Sequence, residues 1–154
     1  MNFNLSISDV IAVIAVIVSI ISIIKSSSAS KIANDLAKSQ AEIEKGQAEI
    51  NIRNMILTAQ YHYSEMCLHL SKEPKNKVIQ QQVMAALESV ANAYDEACTK
   101  YIDGKIDKNR FKKTYANELR KWVESESVKD KYVMPHSQYK ATIKVYDEWN
   151  NLEK

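Results

Sequence analysis

From Val10 to Ile24 the chain carries no charged residue, and most positions are valine or isoleucine. No other feature restricts the fold as strongly. Extended back to Leu5, with Asp9 as its one charge, the run covers about 20 residues, which at ~1.5 Å per residue match the ~30 Å hydrocarbon core of a bilayer. β-branched residues are poor helix formers in water. In lipid, however, a lone span must satisfy its own backbone, and helix is then the only solution. A cleaved signal peptide is the competing reading, because Ser27-Ser28-Ala29 offers small residues for cleavage. Against it, residues 1–8 hold no Lys or Arg, and the apolar run is longer than a signal core. Lys25, Lys31 and Lys38 follow the run and no basic side chain precedes it. The positive-inside rule therefore predicts a single pass, N-terminus out, with the long C-terminal part in the cytoplasm.

The rest of the chain favours helices. Two Gly and two Pro in 154 residues are too few breakers for a sheet of many turns. Within the span Ala12, Ala15, Ser19 and Ser22 form a small-residue stripe that lets helices approach closely in lipid. The register continues as Ser26, Ala29, Ala33, Leu36, Gln40, Ile43, Gln47, Ile50, Asn54 and Leu57. Aliphatic residues at one core position and amides at the other make a heptad pattern, in which buried polar groups specify register and oligomer state. Self-association is the expectation, and copies inserted with one topology must be parallel. Packing of the same stripe on the chain's own domain is the alternative. Gly46 weakens the helix locally.

Beyond this, helix is expected from Arg53 to Ser71, ending at the charged turn around Pro74. A second helix runs from Lys77 to Tyr101, closed by Asp103-Gly104. Asp107 caps a third, to about Glu124. A looser stretch from Ser125 to Pro135 precedes a last helix from Ser137 to about Leu152. The fold class is all-α: an anchor over residues 1–27, a helical stalk over 28–52, and a compact bundle of about four helices over 53–154.

Signatures of catalysis are absent. Two glycines cannot build a phosphate loop, and no nucleophile elbow occurs. Asp103-Gly104-Lys105-Ile106 has the middle of an EF-hand loop, but Arg110 stands where a bidentate Glu is needed. His62 and His69 could share a helix face with Cys67 nearby, yet no second cluster completes a zinc site. Cys67 and Cys98 read as reduced thiols. No enzyme, metal or cofactor is expected.

Charge is more informative. Between Lys100 and Lys121 there are eight Lys/Arg against three acids. At about 100° per residue Arg110, Lys113, Asn117, Arg120 and Lys121 fall on one stripe, and Phe111, Tyr115, Leu119 and Trp122 on the other side. Guanidinium groups and an amide projecting from a helix whose aromatic face is in the core suit a phosphate. Arg53, Tyr61 and His62, with Tyr63 beside them, would add groups for stacking on bases. A solvated basic face, or attraction to anionic headgroups, is the plainer reading of the same charge.

Tyr94-Asp95-Glu96-Ala97-Cys98, then Tyr101-Ile102-Asp103-Gly104-Lys105-Ile106-Asp107 with Phe111, Tyr115 and Leu119, resembles a pattern in small bacterial proteins with one N-terminal span. The layout of span, stalk and basic helical domain resembles the membrane effectors of type III CRISPR antiviral systems. That resemblance implies binding of a cyclic oligoadenylate in the cytoplasm and action on the inner membrane. It also implies an oligomer, because a cyclic ligand is most economically bound on a symmetry axis. The implied partners are further copies in a parallel homo-oligomer (a tetramer being one candidate), the lipid bilayer and the cyclic oligonucleotide second messenger, without stable DNA binding. A membrane-tethered scaffold recruiting an acidic protein or nucleic acid is the alternative.

Overall fold

The computed structural model describes residues 7–133 and 136–150, with the backbone alone for 7–10 and 13. Four α-helices follow in order: α1 (Ile7–Lys72), α2 (Lys77–Ile102), α3 (Lys108–Val123) and α4 (Lys140–Asn150), with a 3₁₀ turn at Lys129–Tyr132. No strand occurs among the described residues, and the fold is all-α. The chain divides into two compact units, Met1–Ile43 and Glu44–Lys154.

The first unit holds the N-terminal part of α1. Here lies the one helical stretch among the described residues that is long and apolar enough to cross a membrane, and none of its apolar window is buried within the chain. Ile11, Ile14, Ile17 and Ile24 are all more than half exposed, so their apolar surface has no intrachain cover. Ser19 Oγ donates to the Ala15 carbonyl at 2.9 Å and Ser22 Oγ to the Val18 carbonyl at 2.8 Å. Each hydroxyl is thus satisfied within its own helix, which is what a hydroxyl surrounded by hydrocarbon requires.

In the second unit α2 is the central helix. Its face of Leu87, Val90, Ala91, Tyr94, Ala97, Cys98 and Tyr101 joins one core with Ile52 and Ile56 of α1, Phe111 and Leu119 of α3, and Val145 and Trp149 of α4. The small side chains of Ala91 and Ala97 let neighbouring helices approach. Aromatic rings fill the remaining volume, with Tyr101 and Trp149 in an edge contact at 5.4 Å.

Local chemistry sets the helix ends. Asn76 Oδ1 accepts from the Val78 and Ile79 N–H groups and starts α2. Gly104, at φ 67°, takes the left-handed position after α2, where a side chain would be strained. Asp107 Oδ1 accepts from the Arg110 N–H at 2.8 Å and starts α3, and this bond holds the Asp107 carboxyl below its usual range.

Two expectations at the C-terminal end need correction. The last helix begins at Lys140 rather than Ser137. Ser137 instead forms the preceding turn, its Oγ accepting from the Tyr139 N–H at 3.1 Å. The start of α4 is held by a different helix: Asp95 Oδ1 of α2 accepts from the Thr142 N–H at 2.9 Å and from its hydroxyl at 3.1 Å. Leu152, expected to end that helix, lies outside the described residues. The stretch after α3 is not simply loose. Val128 and Tyr132 are buried, and Trp122 Nε1 donates to the Tyr132 hydroxyl at 2.6 Å.

Candidate anion-binding cleft

α1 and α3 flank a cleft of about 230 Å³ whose walls include Gly46, Glu49, Ile50 and Arg53 from α1, and Arg110, Thr114 and Tyr115 from α3. Glu49 organises it. Its carboxylate accepts from Arg110 Nε and Nη2 at 2.8 Å each, and from the Asp107 N–H at 3.0 Å. The seat therefore combines a guanidinium fork with a backbone N–H at the start of α3, donors that match a flat or tetrahedral oxyanion. The Arg53 guanidinium also lines the cleft. Burial, and after it the Glu118 carboxylate, raises the Tyr115 phenol above its ordinary value, and the charge on Arg53 opposes them. Two cationic side chains and two rings, Phe111 and Tyr115, thus share a small cleft with one internal carboxylate.

The remaining residues expected on this surface scatter. Lys113 and Asn117 are exposed on α3. Arg120 is half-buried and donates through Nε to Asn150 Oδ1 of α4 at 2.9 Å, so it ties two helices together within the bundle. The geometric reason is that α4 packs on α3 and sets Asn150 against Arg120, while the neighbouring Lys121 stays exposed. Tyr61 is 75% exposed on α1. His62 lies 3.9 Å from Glu65 and lines a separate, wider groove of about 770 Å³ between α1 and α2, along with Asn54, Thr58 and Glu96. Of the expected set, then, the structure brings together Arg53 and Arg110. It does not join them to Tyr61, His62 or Arg120.

Glu49 is the functional candidate that sequence reasoning misses. It lies 61 residues from Arg110, and no local periodicity reports so distant a pairing. The one sequence signal is an acid on the α1 face that also carries Ile52 and Arg53.

The residues that carry the resemblance to small single-span bacterial proteins are occupied in folding. Tyr94 donates to Glu118 Oε1 at 2.6 Å, Asp95 holds the start of α4, and Cys98 is fully buried. Tyr101 donates to Glu148 Oε1 at 2.6 Å, Gly104 and Asp107 shape the turn into α3, and Phe111 and Leu119 are core. Comparison with protein-family models, curated proteins and solved structures gives no match.

Proposed function

We propose that this chain is a non-enzymatic, self-associating membrane effector of antiviral defence. In this reading α1 crosses the inner membrane of a bacterium once, N-terminus out. The cytoplasmic helical domain binds a cyclic oligoadenylate, and binding re-packs α1 so that the membrane is perturbed. The observation that carries the reading is the cleft in which Arg53 and Arg110 line one small space beside Tyr115. Two guanidinium groups suit a phosphate, and the ring offers a surface for a base. At about 230 Å³ the cleft takes one phosphate or one base edge, so a cyclic ligand would need clefts from several copies. Coupling to the membrane requires only that the ligand bind one arrangement of copies better than another.

The test is titration of the full-length protein in detergent with cyclic oligoadenylates of several ring sizes. Each charge-assisted contact contributes about 1.5–3 kcal/mol, so Arg53→Ala or Arg110→Ala should weaken binding roughly 10- to 150-fold. Absence of binding below about 10 μM for every ring size, with salt-sensitive attachment to anionic vesicles instead, would replace this reading with the scaffold one. One observation favours that second reading: Lys105, Lys108, Lys113 and Lys121 are exposed, whereas Arg110 and Arg120 bond within the chain. Exposed lysines suit an acidic partner or anionic headgroups.

A further inference from the structure

Two stripes run along α1 in the second unit, on opposite sides. Ile52, Ile56, Ala59 and Tyr63 pack into the domain core. At 3.6 residues per turn, Ile50, Asn54, Leu57, Tyr61, Ser64 and Leu68 lie within about 40° of one line, and the core-facing residues lie about 120–180° from it. All six are exposed, with Ile50 at 55%, Leu57 at 52%, Tyr61 at 75% and Leu68 at 58%. Their spacing of 4, 3, 4, 3 and 4 keeps the heptad register of Leu36, Gln40, Ile43 and Gln47, and carries it beyond Leu57. In heptad terms the domain core takes the b, c and f positions, Ala48 and Met55 being at b, and leaves a and d uncovered.

We infer that this uncovered a/d stripe of α1 is the docking face for a second, parallel copy of the same chain. Two features select that occupant over another protein. The register runs from Leu36 to Leu68, more than the three to four heptads that mark a coiled coil. Gln40, Gln47 and Asn54 recur at a positions, where parallel copies set like amides at one level to hydrogen-bond across the axis. Tyr61 becomes an interface residue in place of a base-stacking one. Arg53 and Gly46 fall at g positions, so the second copy borders the anion-binding cleft that they line.

This inference deepens the self-association in the proposed function and does not depend on the ligand. The test is cysteine cross-linking of the full-length protein in membranes, in a Cys67→Ser background with the buried Cys98 retained. Leu57→Cys, Tyr61→Cys and Leu68→Cys should each give disulfide-linked dimers on mild oxidation, while Gln81→Cys and Lys144→Cys, exposed on other helices, stay monomeric. Leu57→Glu with Tyr61→Glu, at exposed positions that leave the core intact, should reduce the assembly to monomers by light scattering. Equal cross-linking at stripe and control positions, or an assembly unchanged by the double variant, would overturn the interface. Dimers without any cyclic oligonucleotide binding would uphold the interface and remove the ligand reading alone.

Discussion

Glu49 grips Arg110 with both carboxylate oxygens, at 2.8 Å each, across 61 residues of sequence. The pair is open to solvent on the arginine side, where 55% of the side chain is exposed against 22% for the glutamate. Such a pair contributes about 0–1 kcal/mol, so an incoming phosphate can displace it. Glu49→Gln should therefore tighten phosphate binding in the cleft while changing stability little. Titration with inorganic phosphate and with cyclic oligoadenylate checks this, and weaker binding would contradict it.

The hydrogen-bonded triad of Gln60, Tyr94 and Glu118 joins α1, α2 and α3. Gln60 Nε2 donates to the Tyr94 hydroxyl at 2.9 Å and to Glu118 Oε1 at 2.8 Å, and Tyr94 donates to the same carboxylate. Tyr94→Phe removes a partner from both other groups and should cost about 1–3 kcal/mol. Urea denaturation followed by circular dichroism measures the loss, and an unchanged midpoint would contradict the role.

Burial pushes the Cys98 thiol up to about 12 from an ordinary value of 9.0. Between those values the unfolded chain has released a proton that the folded chain keeps, so stability falls as pH rises through this window. Burial raises Tyr94 and Tyr132 in the same direction. Denaturation midpoints should decline above about pH 9, and more gently in Cys98→Ala. A thiol reagent applied below that range should modify the half-exposed Cys67 and leave Cys98 until the chain unfolds.

The lysines that follow the span predict its orientation. A reporter that works only in the cytoplasm, fused after Lys154, should be active. Activity of a reporter that requires export would reverse the topology.

Much of this fold is legible in the sequence because its signals are local. Asn76, Gly104 and Asp107 mark helix ends through bonds or backbone angles set within a few positions. The 3.6-residue period also places Leu87, Val90, Tyr94, Phe111 and Leu119 in the core. What escapes depends on distant partners. The start of α4 is set by Asp95, 47 residues away, and the fate of Arg120 by Asn150, 30 residues away. Periodicity assigns Arg120 to the basic stripe, yet it cannot report that Asn150 of α4 takes up its guanidinium. The cleft is half legible: its basic residues are visible, and their carboxylate partner is not.

Liposomes reconstituted with the full-length protein and loaded with a self-quenching dye test the central claim most directly. A cyclic oligoadenylate of one ring size should release the dye, and release should be lost in Arg110→Ala and in the Leu57→Glu, Tyr61→Glu variant. Intact liposomes with every ring size, at protein densities where copies cross-link through α1, would contradict it.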